Sequence, residues 1–320
     1  MMIEVDGLCR VSGGRRVLDG VTFRVDAGEV VGFLGQNGAG KTTTLRILAG
    51  ALPKSGGIVR VCGFDSPQDS PQARRQVGYL PENVPVVGDV TALEYVEFVA
   101  RSRGARAQEA RHDAAARLEQ VDLTGVGHRS VQRLSKGQRQ RVGLAAALAG
   151  DPPVLLLDEP SSGLDPSQLV RVRELIREQR GRRAVLVSTH LLSEVRETCD
   201  RVIVLHQGRV VAEETASSSA PELPGAGPMR CEVVVRGDRA GVRELLESVA
   251  GVRVIDVDRR APGEVTVIVH LDDDRRAELA AAVVQSGREL VGLRPLQTTL
   301  EEMFLRLVAG SPGGDLAVRS

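Results

Sequence analysis

The sequence predicts an α/β domain over residues 1–214 and, beyond a linker, a smaller α+β domain. Strand-like and helix-like stretches alternate as far as residue 214. Residues 215–228, TASSSAPELPGAGP, then carry one charge, three prolines and no hydrophobic period. The stretch after them reads β-α-β-β-α-β. A length of 320 residues suits two domains, and 42% apolar residues suffices for a sizeable core.

In the first domain the stretch Gly35-Gln36-Asn37-Gly38-Ala39-Gly40-Lys41-Thr42-Thr43 fits the pattern G-x-x-x-x-G-K-[ST]. It follows the apolar run Val30 to Leu34, read as a buried strand, and opens into a helix over Thr44 to Ala49 ended by Gly50. Strand, glycine loop and helix start bring successive backbone N–H groups and the positive end of a helix dipole to one point, which binds polyphosphate. In such a loop Lys41 reaches the β and γ phosphates and the Thr42 hydroxyl ligates Mg²⁺. Lysine occurs only at Lys41, Lys54 and Lys136, every other basic residue being Arg. A chain so biased keeps a lysine where a compact ammonium suits phosphate better than a planar fork.

The apolar run Val154 to Leu157 delivers Asp158 and Glu159 at its C-terminal end, where ligands of open α/β sheets collect. Adjacent strand residues point opposite ways, so the two acids have different tasks. Asp158 suits Mg²⁺ through its water shell, and Glu159 suits a water in line with the γ phosphate. The alternative is a pair of acids capping the helix that begins near Pro166. Upstream, Leu134-Ser135-Lys136-Gly137-Gln138 stands directly before an apolar helix over Val142 to Ala149, and Ser188-Thr189-His190 ends another strand. A lone His190 would be an ordinary polar residue, and L-S-x-G-Q alone is a weak pattern.

Together and in this order, the four motifs resemble those of the ATP-binding subunits of ATP-binding cassette (ABC) transporters over residues 3–214. The signature reads LSKGQ against the family's LSGGQ, and Pro160 to Asp165 resembles the family's D-loop. The resemblance implies a P-loop NTPase cassette, a RecA-like core with a helical subdomain at about 83–150. It also implies ATP and Mg²⁺ as cofactors, with Thr42, Asp158 and Glu82 around the metal. Ser135, Gly137 and Gln138 would touch the nucleotide held by an opposite subunit, giving a head-to-tail homodimer glued by ATP. Glu159 would position the attacking water and His190 would contact the γ phosphate. The partner would be a separate transmembrane permease, which places the chain in the cytoplasm on the inner face of the membrane.

Three residues depart from the family pattern. Ser12 stands where an aromatic side chain usually stacks on adenine, so Arg10 or Arg15 is the alternative platform. Glu82, in Gly78-Tyr79-Leu80-Pro81-Glu82, replaces the Q-loop glutamine, and a carboxylate still reaches Mg²⁺ and its waters. Lys136 replaces a glycine and adds positive charge near phosphate. Arg101, Arg103, Arg106 and Arg111 read as a solvated helix face or as contacts for phospholipid headgroups.

The second domain, 229–310, has the strand and helix order of the ferredoxin-like split unit. Its strands fall at Cys231 to Arg236, Val252 to Asp258, Val265 to His270 and Leu290 to Arg294, and Val242, Leu245, Leu246 and Val249 share one helix face. A last helix, opened by the capping box Thr299 to Glu302, aligns Leu300, Met303, Phe304 and Leu307 as a self-docking or dimer surface, and 311–320 reads as a flexible tail.

The 42 acidic and 42 basic residues cancel, so no global charge points to nucleic acid or to an anionic membrane surface. The start, Met1 to Asp6, lacks the features of a secretory signal, and no uncharged apolar stretch approaches a membrane span. Cys9, Cys62, Cys199 and Cys231 lie far apart and read as reduced thiols. A soluble ABC ATPase acting on nucleic acid or ribosomes is the rival reading; one cassette and no sustained heptads weigh against it. A regulatory module without turnover is disfavoured by Glu159 and His190 together.

Overall fold

The computed structural model describes residues 1–65, 67–85, 89–215, 229–261 and 263–296. The chain divides into two compact units, Met1–Ser218 and Ser219–Ser320. The expected linker beyond residue 215, the helix from Thr299 and the tail 311–320 lie outside the described residues.

The first unit contains two sheets. An antiparallel one joins β1 (Ile3–Ser12), β2 (Arg15–Val25), β4 (Gly56–Val61) and β5 (Phe64–Asp65) in the order β2-β1-β4-β5. The sequence reading missed this sheet, because its alternation of buried and exposed residues is broken by register shifts in β1. The second sheet has six strands, ordered β10 (Arg209–Thr215), β9 (Arg201–His206), β3 (Val30–Leu34), β8 (Ala184–Thr189), β7 (Val154–Asp158) and β6 (Val77–Leu80). All its neighbours are parallel except the β10–β9 pair. Every residue of β3, β7 and β8 is buried, as continuous apolar runs in a parallel sheet require. The register sets Leu34 beside Thr189 and Asp158 beside Ser188, so three strands end side by side.

Helices α1 (Lys41–Leu48) and α2 (Pro71–Arg75) precede a helical segment of α3 (Ala92–Ser102), α4 (Ala107–Gln120) and α5 (Lys136–Leu148), and α6 (Pro166–Arg177) and α7 (Leu192–Thr198) complete the unit. Four details differ from the sequence reading. Helix α1 starts at Lys41, three residues early, because Gly40 supplies the left-handed turn that enters it. Helix α5 starts at Lys136 and not at Val142: Ser135 Oγ accepts from Gln138 N at 3.2 Å while Gln138 Oε1 accepts from Ser135 N at 3.0 Å. Thr215, read as the first linker residue, closes β10 opposite Arg201. Arg103 leaves the surface face, its Nη1 donating to Ala146 O at 3.1 Å and Ala147 O at 3.2 Å and so satisfying the C-terminal carbonyls of α5.

The second unit runs β11 (Met229–Arg236), α8 (Arg239–Glu247), β12 (Val252–Ala261), β13 (Glu264–Leu271), α9 (Arg276–Gln285) and β14 (Glu289–Leu296). Its strands pair antiparallel in the order β12-β13-β11-β14. Val242 and Leu246 of α8 and Leu279 and Val283 of α9 form one apolar cluster with Cys231, Val233, Val267 and Val269. All four cysteines are free thiols. Among the described residues no helix is long and apolar enough to cross a membrane.

Candidate functional site

A cavity of about 340 Å³ opens at the C-terminal ends of β3, β7 and β8. Gln36, Asn37, Gly38, Gly40, Lys41, Thr42 and Thr43 line it, with Val17, Glu82, Glu159, Ser162 and His190. Two glycines of the loop, Gly35 and Gly40, are there for close approach. A Cβ on Gly35 would stand 2.4 Å from the Leu205 carbonyl oxygen, and one on Gly40, at φ 109°, would stand 2.5 Å from Leu18 Cδ2. Gly35 and Ala39, two of the predicted loop residues, do not line the cavity, and Ala39 is buried in the core. No side chain caps α1 and no acid lies in its first turn, so its N–H groups and dipole are left for an anion.

Lys41 is 5% exposed. Its Nζ donates to Gly35 O at 2.6 Å and Gln36 O at 3.2 Å, and stands 3.5 Å from Glu159 Oε1. Asp158 is fully buried, its Oδ1 accepting from Thr42 Oγ1 at 3.1 Å and from Ser188 Oγ at 2.6 Å. Its Oδ2, equally buried, has no hydrogen-bond partner among the described residues. An orphaned carboxylate oxygen beside a hydroxyl is a donor set suited to a hard dication with its waters.

Glu159 lies just past β7 at φ 47°, a left-handed backbone for a non-glycine residue. Its N–H donates to both Ser188 O at 3.2 Å and Ser188 Oγ at 3.1 Å. His190 Nδ1 donates to Glu159 Oε2 at 2.9 Å, so each carboxylate oxygen has a cationic or N–H neighbour. Tyr79, on the strand beside β7, has its phenol pushed up to about 12 by burial and by the negative charge of Asp158.

The signature residues are elsewhere. Ser135, Gly137 and Gln138 do not line this cavity. Ser135 and Gln138 cap α5, and Gly137 lies so close to α6 that a Cβ would be 2.7 Å from Gln168 Oε1. Ser12 ends β1 opposite Arg15 and is also absent from the lining, where Val17 stands instead. Sequence reasoning gave no role of their own to Val17, Ser162, Ser188 and Gln140, although Ser162 and Ser188 stand inside stretches it singled out. The contact of Ser188 with Asp158 comes from the pairing of β8 with β7, which no local pattern signals.

Residues 18–162 match the family model described as "ABC transporter". The chain is 35% identical to a daunorubicin resistance ATP-binding protein of Streptomyces coeruleorubidus over 95% of each chain. It is 36% identical to the Nod factor export ATP-binding protein I of Burkholderia orbicola, covering 92% of this chain and 93% of that one. Among solved structures it is similar to an ATP-binding subunit of an ABC transporter, with a TM-score of 0.63 at 33% identity over 67% of this chain and 90% of that one. A dimeric post-hydrolysis structure of an ATP-binding cassette bound to ADP and Pi matches with a TM-score of 0.62 at 28% identity, over 68% of this chain and all of the other. With its phosphate loop, Glu82, Glu159 and His190 gathered at one cavity, Asp158 buried behind Thr42, and relatives of this kind along nearly its whole length, the chain belongs to the ABC transporter family as an ATP-binding subunit.

Proposed function

We propose that this chain hydrolyses ATP to energise an exporter whose permease is a separate polypeptide, working as a head-to-tail homodimer with ATP between the subunits. The observation that carries it is the separation of the two half-sites: the cavity holds the phosphate loop, Glu159 and His190, while Ser135, Gly137 and Gln138 lie outside it. A second copy supplies the missing half. The similarity to dimeric cassettes and to drug and Nod factor export proteins supports the same reading.

Within one site the roles divide by geometry. Gln36 to Thr43 and the uncapped α1 receive the triphosphate, and Lys41 exchanges its contact with Glu159 for the β and γ oxygens. The hydroxyl of Thr42, the free Oδ2 of Asp158 and the carboxylate of Glu82 are the oxygens that would hold Mg²⁺ and its waters. The chemistry these oxygens would bring in with the metal is neutralisation of charge on the transferring phosphoryl group. Released from Lys41, Glu159 Oε1 accepts from the attacking water while His190 holds Oε2. Ser135 and Gly137 of the second copy close over the γ phosphate. Loss of that phosphate removes the glue, and the subunits separate.

The second unit, read as ferredoxin-like, stabilises the dimer or regulates it. The chain works on the cytoplasmic face of the membrane, against its permease. One experiment tests the half-site reading: phosphate release by the purified chain at increasing protein concentration. Turnover per subunit should rise with concentration and collapse in Ser135→Arg. Constant turnover, insensitive to Ser135→Arg, overturns it.

A further inference from the structure

The backbone of Glu159 is held from both sides, and one holder sits on the signature helix. Its φ of 47° is a conformation that a side-chain-bearing residue keeps only where the surroundings over-determine it. Ser188 takes the N–H. The carbonyl accepts from Ser162 N at 3.0 Å and from Gln140 Nε2 at 3.3 Å. Gln140 is 4% exposed, and a buried amide without a partner is costly.

Helix α5 is itself seated tightly. At Gly137 a Cβ would meet Gln168 Oε1 at 2.7 Å, and at Gly143 one would meet Val84 Cγ2 at 2.4 Å and Leu80 Cδ1 at 2.7 Å. Gln140 lies between these two glycines, on the turn after Ser135, so its position is fixed by packing and not by its own flexibility. The carboxylate of Glu159 follows its backbone: a rotation about the strained residue moves both Oε1 and Oε2 relative to Lys41 and His190.

We propose that Gln140 is a positioning residue for hydrolysis, its Nε2–H fixing the Glu159 carbonyl and thereby the carboxylate that handles water. This rests on the reading of Glu159 as the residue that limits turnover. The helix that presents Ser135 to a partner's nucleotide then also sets the base of its own subunit.

Gln140→Met keeps the volume and removes the donor. It should lower turnover about tenfold, with KM for ATP changed by about twofold or less, because only the geometry of the chemical step is disturbed. Gln140→Asn, polar but too short to span the bond, should behave the same and stands in if the Met variant does not fold. The distinguishing measurement is single-turnover phosphate release by Glu159→Gln with and without Gln140→Met. A residue acting through Glu159 adds nothing once the carboxylate is gone. Wild-type turnover in a folded Gln140 variant, or a loss that multiplies with that of Glu159→Gln, overturns the assignment. Wild-type turnover in Glu159→Gln alone overturns the reading of Glu159, and this inference with it, and so is told apart from a failure of Gln140 only.

Discussion

Two helix starts in this chain are built in opposite ways. Helix α1 begins at a left-handed glycine with no side-chain cap and no acid in its first turn, and its N–H groups face a cavity. Helix α5 begins with a closed capping box in which Ser135 and Gln138 satisfy each other's backbone. The first is a standing cradle. In the second, a lone pair of Ser135 Oγ is taken by Gln138 N, and its O–H is what remains to donate to a phosphate. On the proposed reading, the phosphate loop binds nucleotide in a single chain, whereas the signature engages only when a second subunit presents a triphosphate.

The largest test freezes the two halves together. Glu159→Gln should leave ATP affinity nearly intact and cut turnover by about 10² or more. With the glue unspent, an ATP-bound dimer should accumulate and elute early in size-exclusion chromatography. Turnover near wild type would remove Glu159 from its role.

A smaller effect separates the halves by subunit. Lys41→Ala damages the cradle and Ser135→Arg damages the cap, so each variant alone should lose at least about tenfold in turnover. Mixed, they form a dimer with one intact composite site and one doubly damaged site, and turnover should recover in part. ATP-dependent dimers between two Ser135→Arg chains would argue that the cap plays no part across the interface.

The cradle was legible in the sequence because every part of it is local: strand, loop and helix start are consecutive, and the loop pattern is specified by backbone space that only glycine leaves free. Asp158 and Glu159 were legible for the same reason, at the end of an apolar run. What stayed hidden depends on register and burial. Ser188 touches Asp158 only because β8 pairs with β7, and Gln140 reaches Glu159 only because α5 packs under the loop after β7. The N-terminal antiparallel sheet was hidden by the bulges that interrupt its alternation.

On the nucleotide side the base remains to be placed. Ser12 ends β1 and is not part of the cavity lining, where Val17 offers apolar surface and no aromatic ring. Most binding energy should therefore come from the triphosphate, with weak preference for ATP over GTP. Ser12→Tyr should tighten ATP binding by up to about tenfold, the low end of a stacking contribution. Titrating both nucleotides decides the matter: strong ATP preference in the wild type, with no gain in the variant, would mean that Arg10 or Arg15 already covers the base.

The smallest effect reads the charge of the cradle directly. The chain has two tyrosines. Tyr79 is pushed up to about 12 by burial and by Asp158, and burial raises Tyr95 as well. A phenol whose folded value lies above its unfolded one contributes stability that is fully present below about pH 10. That contribution is lost as pH rises toward the folded value. The Tyr79 share of the phenolate absorbance at 295 nm should therefore be absent at pH 10 and appear only well above it or with unfolding. Asp158→Asn removes the negative neighbour and should move the Tyr79 step to lower pH, whereas Ser135→Ala, on the other helix start, should leave it in place. A full phenolate step near pH 10 in the folded protein, or equal shifts in the two variants, would show that Tyr79 does not sense the carboxylate behind the phosphate loop.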